Sequence, residues 1–361
     1  MEKTKPPDLI IFFTMITLLG IGIVMVFSST SIRAYANYGD SFYFLKKQFI
    51  WSIIGIGAMI FFMTINYNLY KNLARLGIMI SVGLLVAVLI FGKVVGGSQR
   101  WLNLGFMRMQ PSEIIKLSIV IYMARYLSIK QNQLDDFLHG LGPPLFILAL
   151  ICGLILLQPD LGTTVAIGGT VMVMFVAAGV RFKHLAWLAS VGLLGVIYLI
   201  LSAPYRMQRF LAFLDPWKDP LDSGFHIIQS LYALGSGGLF GVGIGQSKQK
   251  FFYLPEPGTD FIFAIIGEEL GFLGAVVVVL LFFLFAWRGL RIAAEAPDVF
   301  SSLLAVGITT MITLQAVINI GVVTGSMPVT GMTLPFISYG GSSLVIMLSG
   351  VGVLLNISRH V

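Results

Sequence analysis

Three carboxylates, Asp260, Glu268 and Glu269, fall within ten residues of a chain that is only 11% charged, and Glu256 stands just before them. They belong to the stretch 253–271, where Pro255, Pro257 and Gly258 form a loop that feeds directly into an apolar run. Thr259 or Asp260 is suited to cap the helix that follows. Asp260 is then expected at a membrane surface, with Glu268 roughly 12 Å deeper at ~1.5 Å per residue. Ionisable groups at such depth are rare and point to function by default. A carboxylate at the mouth of a helix bundle can act as a general base. Adjacent helical residues point about 100° apart, so Glu268 and Glu269 should not both face one ligand, and structural pairing is the simpler role for them.

Other charges are sparse enough to be placed one by one. Glu113 and Lys116 stand at i,i+3 on one helix face, either as an ion pair that fixes packing or as part of a cavity wall. Breaking such a buried pair costs ~3–5 kcal/mol. Gln158-Pro159-Asp160-Leu161-Gly162 is a polar turn, with Asp160 as a cap or as part of a site rim. Arg206 and Arg209 lie among Tyr205 and Phe210, and Lys248 and Lys250 precede Phe251. Cations beside aromatics serve headgroup contact equally well, or hold a pyrophosphate and stabilise it as it leaves. Arg100 sits in the polar segment 96–103. The stretch 328–343 has no charge, and its hydroxyls, Ser338 and Ser342 among them, are its polar side chains.

The elements that must position these groups follow from composition. The 361 residues are 57% hydrophobic, with mean hydropathy +0.92. No soluble globular class has that balance. A spanning helix needs ~20 mainly apolar residues, and ten such runs are read at 9–27, 49–65, 73–91, 114–127 (starting near Pro111), 141–157, 163–180, 184–202, 260–287, 301–323 and 340–357. The expected fold is an all-α integral membrane protein, one polytopic domain over 1–361. Lys3 and Lys5 precede the first run and no cleavage site stands before Arg33, which reads as a retained anchor. Short loops carrying Lys71, Arg75, Arg181, Lys183, Arg288 and Arg291 place both termini on the cytoplasmic side. The long region 203–259, between the seventh and eighth runs, is then an extracellular loop. Within it 225–234 is too short to span and reads as a surface or re-entrant helix, and the glycines at 235–245 allow close backbone approach without matching a phosphate-binding loop.

The net charge of +7 suits loop cations and anionic headgroups, or a phosphate-bearing substrate. There is no basic soluble domain or aromatic platform for nucleic acid. Cys152 is the single cysteine and the four histidines are scattered, so neither a disulfide nor a metal cluster is expected.

Several motifs in fixed order carry a resemblance. They are Arg100-Trp101, Gln110-Pro111-Ser112-Glu113-Ile114-Ile115-Lys116, Gln158-Pro159-Asp160-Leu161-Gly162-Thr163, Arg206-Met207-Gln208-Arg209-Phe210, Tyr253-Leu254-Pro255-Glu256, Thr259-Asp260-Phe261-Ile262-Phe263 and the stretch 328–343. On these the chain resembles the SEDS (FtsW/RodA/SpoVE) family of shape, elongation, division and sporulation proteins. The run Phe251-Phe252-Tyr253-Leu254-Pro255-Glu256-Pro257 is more similar to the division and sporulation branch. Many relatives have a histidine where Gly258 stands and a glutamate where Phe252 stands, so neither position is given a chemical role.

The resemblance implies a peptidoglycan glycosyltransferase of the bacterial cytoplasmic membrane. It would polymerise lipid II, an undecaprenyl-pyrophosphate disaccharide-pentapeptide, on the outer face, beside a class B penicillin-binding protein. The family's essential aspartate falls on Asp260. An α-linked donor and a β-linked product call for one inverting displacement, with one base and positive charge for the leaving group. Asp260 is the candidate base. Arg206 and Lys248 are phosphate candidates, with Lys116 a further one, and Arg100, Glu113, Asp160, Glu256, Ser338 and Ser342 line the substrate site. No metal-ligating residues are assigned, and a divalent cation is left open. A lipid II flippase and a non-catalytic cell-wall scaffold are the competing readings. Buried charges would suit the flippase, although the dense polar motifs lie on one face and no tandem repeat is evident.

Overall fold

The computed structural model describes residues 5–95, 98–103, 105, 108–251 and 253–361. Gly96, Gly97, Phe252 and Lys3 of the stretches above lie outside the described residues. Helices stand at all ten expected places. In chain order they are α1 (Leu9–Tyr38), α2 (Tyr43–Thr64), α3 (Tyr67–Phe91), α4 (Pro111–Ile129), α5 (Gly142–Leu156), α6 (Leu161–Ala177), α7 (Phe182–Leu201), α8 (Pro204–Leu214), α9 (Phe225–Ser236), α10 (Ile262–Glu295), α11 (Val299–Val323) and α12 (Gly341–Ser358). The two short ones, α8 and α9, belong to the 203–259 region.

Local chemistry sets the starts. Pro111 opens α4, where its missing N–H costs nothing. The Asp8 and Asp160 carboxylates cap α1 and α6, and Asp298 with Ser301 forms a capping box for α11. Eight described helices are long and apolar enough to cross a membrane, α5 counting together with the π-helical turn Phe137–Leu141 that runs into it. The other two long helices fall short for visible reasons: α6 has 17 residues, and α4 carries Glu113, Lys116 and Arg125.

The core is built around α11, which packs on α4, α6, α10 and α12, while α12 lies along α2 and α1 lies between α2 and α10. α7 has no buried residue. A feature absent from the all-helical expectation is a small antiparallel ribbon of β1 (Lys93–Val95), β2 (Ser98–Asn103) and β3 (Arg108–Met109). It carries Arg100.

Two further points depart from expectation. Neither Thr259 nor Asp260 caps α10: the helix starts at Ile262, and the cap position is Phe261, with no side-chain bond. The chain instead turns on the Glu256 carbonyl, which accepts from the N–H groups of Thr259 and Phe261. Secondly, α10 is broken at Gly271, at φ 70° and ψ −169°. The glycine-rich segment fills the break. Val242 and Gly243 donate to the carbonyls of Glu268 and Glu269 (3.0 and 3.1 Å), while Phe272 and Leu273 donate to those of Gly238 and Leu239 (2.9 and 3.2 Å). Four backbone groups of α10 beside the break thus find partners outside the helix, as an apolar surround requires.

That close approach explains the glycines at 241 and 271. A Cβ on Gly271 would lie 2.2 Å from the Gly241 nitrogen, and one on Gly241 2.2 Å from the Glu269 carbonyl oxygen. Gly271→Ala is expected to cost at least about 1–3 kcal/mol from the backbone conformation alone. Gly83→Ala, in open space on α3, should leave the melting temperature in detergent unchanged or slightly raised. Equal melting of the two variants would contradict this account.

Candidate active site

Asp260 lies in the turn before α10 and is half-buried. Its surroundings come from elements far apart in sequence. Charges acting on it are Glu256 from its own loop, Arg100 from β2, Arg209 from α8 and Asp160 from the start of α6. Burial pushes the Asp260 carboxyl up to about 6; Glu256 adds to this, Arg100 and Arg209 oppose it, and Asp160 adds a smaller push. A carboxylate tuned near neutrality is matched to proton abstraction.

Arg100 is held rather than free. Its Nε donates to the Gln158 carbonyl (3.0 Å), its Nη2 to that of Pro159, and Nη1 lies 3.5 Å from Asp160. Asp160 in turn caps α6 by accepting from the Thr163 amide at 3.1 Å. The ribbon and the α5–α6 turn therefore place one guanidinium together. Glu256, at φ 47°, occupies the left-handed region that a non-glycine residue rarely adopts, and its carboxylate accepts from the Thr259 hydroxyl at 3.2 Å. Gly331, at φ 74°, passes so close that a Cβ there would stand 3.5 Å from Asp260 Oδ2. At Gly258 a Cβ would come within 2.3 Å of Thr30 Cγ2, so this chain has no ready room for the side chain many relatives carry there.

Arg100, Asp160, Glu256 and Asp260 are thus brought together, and several other candidates are not. Arg206 turns to its own neighbours: Nε donates to the Tyr205 hydroxyl (2.8 Å) and Nη1 to the Leu199 carbonyl (3.1 Å). Arg209, three residues on, is the α8 cation that acts on Asp260, alongside Arg100. Lys248 is exposed, and its backbone amide rather than its ammonium is engaged, donating to Glu268 at 2.8 Å. Lys116 is buried, paired with Glu113 at 2.9 Å and donating to Gln315 at 2.6 Å, so its ammonium is committed inside the bundle and not offered to a phosphate. Ser338 ties loops together, donating to the Thr259 carbonyl at 2.6 Å and accepting from the Leu334 amide at 2.8 Å. Ser342 is half-buried in the first turn of α12, and it is its neighbour Ser343 that bonds Glu113, at 2.8 Å.

Glu268 and Glu269 do pair structurally, but they converge on one segment, contrary to the expected divergence. Glu268 accepts from the Ser247 hydroxyl and the Lys248 amide (2.5 and 2.8 Å). Glu269 accepts from the Ser28 hydroxyl, the Ser247 amide and the Lys250 ammonium, the last at 3.0 Å. The segment wraps around the helix end at the Gly271 break, so it meets both side chains.

His226 was not singled out by sequence. Its ring stacks on that of Phe261 at 5.8 Å and 9°, directly after Asp260, and burial with Arg209 nearby lowers its basicity. No local pattern on α9 distinguishes it.

A bundle of long apolar helices with a charge-ringed aspartate at one end defines a multi-pass membrane protein with a polar site built from its connecting loops. Residues 8–361 match the FtsW/RodA/SpoVE family model, described as cell cycle protein. The chain is 51% identical over 360 residues to stage V sporulation protein E of Bacillus subtilis, covering 99% of this chain and 98% of that one. It is 42% identical over 365 residues to the probable peptidoglycan glycosyltransferase FtsW of Geobacter metallireducens, covering 100% and 96%. Among solved structures it is similar to a chain of a peptidoglycan synthase complex studied for its coordination of polymerization and crosslinking, at 30% identity, TM-score 0.81 and 98% coverage of both chains. It is also similar to the rod shape determining protein RodA of Thermus thermophilus, at 27% identity and TM-score 0.74, covering 98% and 97%. The chain belongs to the SEDS family.

Proposed function

We propose that this protein is a peptidoglycan glycosyltransferase that polymerises lipid II on the outer face of the bacterial cytoplasmic membrane, with Asp260 as general base. The observation that carries the reading is a half-buried carboxylate, raised to about 6, beside two guanidiniums at the mouth of the bundle. A relative named probable peptidoglycan glycosyltransferase supports the reaction class, and a similar chain from a synthase complex that coordinates polymerization and crosslinking supports a crosslinking partner, which we read as a class B penicillin-binding protein. The short basic loops support cytoplasmic termini, and with ten spans the 203–259 region and Asp260 would face outward.

In the reaction, Asp260 takes the proton of the acceptor sugar's 4-hydroxyl as that oxygen attacks the donor's anomeric carbon from the face opposite its pyrophosphate. The new C–O bond forms as the old one breaks, the anomeric configuration inverts, and undecaprenyl pyrophosphate leaves with the electron pair. Arg100 and Arg209 stabilise the charge that develops on the leaving phosphate. Among the described residues no three His, Cys, Asp or Glu side chains are grouped to hold a metal ion.

Of the buried charges that would suit a flippase, Glu113 pairs with Lys116 and Glu269 with Lys250, while Glu268 is held by the Ser247 hydroxyl and the Lys248 amide. That favours the enzyme. Proteoliposomes loaded with lipid II separate the readings, with the class B partner added in a parallel sample. The enzyme forms glycan strands, loses them in Asp260→Ala, and moves lipid II no faster than the variant does. Translocation abolished by Asp260→Ala, without strand formation, would instead establish the flippase. Absence of strands even with the partner present would leave the scaffold.

A further inference from the structure

Three consecutive backbone carbonyls at the Asp260 turn are each held from the C-terminal third of the chain. The Tyr339 amide donates to Gly258 (2.8 Å), the Ser338 hydroxyl to Thr259 (2.6 Å) and Asn319 Nδ2 to Asp260 (2.8 Å). The second N–H of Asn319 goes to the Met332 carbonyl at 2.6 Å. One amide therefore clips the Asp260 turn to the 324–340 loop.

One helical turn earlier, Gln315 repeats the device on the next loop residue. Its Nε2 donates to the Thr333 carbonyl at 2.9 Å, and its Oε1 accepts from Lys116 Nζ at 2.6 Å. An i,i+4 spacing stacks the two amides on one face of α11. Lys116 pairs with Glu113, and Glu113 accepts from Ser343 at the start of α12. The chain of contacts runs from α12 and α4, through two amides on α11 and two adjacent loop carbonyls, to the residue bearing the carboxylate.

Both neighbours of Asn319 Nδ2 are carbonyl oxygens, so the orientation of the amide is dictated by chemistry. Its Oδ1 is buried without a hydrogen-bond partner among the described residues, and the residue is only 1% exposed. A buried amide with an unmatched oxygen is a poor choice for stability alone. What it supplies is two donors on one rigid helix.

We infer that Asn319 is a positioning residue for Asp260, and that Gln315 extends its hold to the buried Glu113–Lys116 pair. This rests on the reading of Asp260 as the base. The groups that face Asp260 are Glu256, Arg100, Arg209 and Asp160, and His226 stacks on the adjoining Phe261. Their distances to the carboxylate depend on where its backbone is pinned.

The test uses purified full-length protein with lipid II. Asn319→Leu keeps the branching and the heavy-atom count, with somewhat bulkier methyl groups, and removes both donors. kcat should fall about 10–100-fold, the scale set by misplacing a catalytic group, with KM changed less than about threefold. Loosening the turn relieves the burial that raises the Asp260 carboxyl, so the acid limb of the rate profile should move down from about 6. Gln315→Glu keeps a partner for Lys116 but loses the donor to Thr333; it should show the same pattern more weakly, and it carries the test if Asn319→Leu does not fold. A folded variant with the parent's kcat and acid limb, or one altered only in KM, overturns the inference. Asp260→Asn is assayed alongside. If that variant is fully active, the base assignment falls and the inference with it; if it is inactive while Asn319→Leu and Gln315→Glu behave as the parent, only the positioning role is lost.

Discussion

Asp260→Asn is expected to slow glycan strand formation from purified lipid II by about 10²–10⁴-fold, the usual contribution of a general base. The change is nearly isosteric, and the bonds that hold the turn are made to the backbone carbonyls of Gly258, Thr259 and Asp260, so the loop should keep its shape. The loss would then belong to the carboxylate. The parent's pH dependence follows from the same group. Only the ionised form accepts a proton, and burial with Glu256 sets the carboxyl at about 6, so activity should fall as pH drops through that value. Arg100 is one of the two cations that hold the value down, and Arg100→Ala should therefore move the acid limb upward. A flat profile between pH 5 and 7, or a fully active Asp260→Asn, would remove Asp260 from the reaction.

Lys250→Met should cost about 3–5 kcal/mol of stability, because it leaves Glu269 charged and buried without its cation. The Glu269 side chain is fully buried and Lys250 Nζ lies 3.0 Å away, with Ser28 bonded to both. This cluster joins α1 to the segment that fills the Gly271 break, so its loss should also loosen the glycine-rich loop. Lys250→Met combined with Glu269→Met removes both charges and should recover most of the lost stability, as buried pairs replaced by apolar residues commonly do. Thermal unfolding in detergent reads all three proteins. A single variant that melts with the parent would show that the ammonium contributes no net support.

Much of the architecture was legible because hydrophobic length is a local property. Each of the ten apolar runs is a helix in the structure, and Pro111, Asp160 and the 225–234 run act where their local chemistry places them. The motif order was enough to reach the family, and Asp260 could be singled out as a rare carboxylate at the junction of a loop and an apolar run.

What the chain alone could not decide is which polar groups meet. Arg206 and Arg209 stand three residues apart beside the same aromatics, and only the docking of α8 shows that Arg209 acts on Asp260. By sequence Lys116 is a cation available to phosphate; in the structure Gln315, 199 residues away, accepts from its ammonium. The break at Gly271 is stabilised by backbone donors thirty residues earlier in the chain, so no helical periodicity within α10 announces it. Asn319 is a single amide in an apolar run, and its proposed role exists only because the Asp260 turn and the loop after α11 both come within reach of it. Apolar length, turn chemistry and motif order are written locally, and they suffice for the helices, the family and the candidate aspartate. The partners of that aspartate were decided by tertiary structure, because hydrogen bonds and charges act over a few ångströms in space, whatever their separation along the chain.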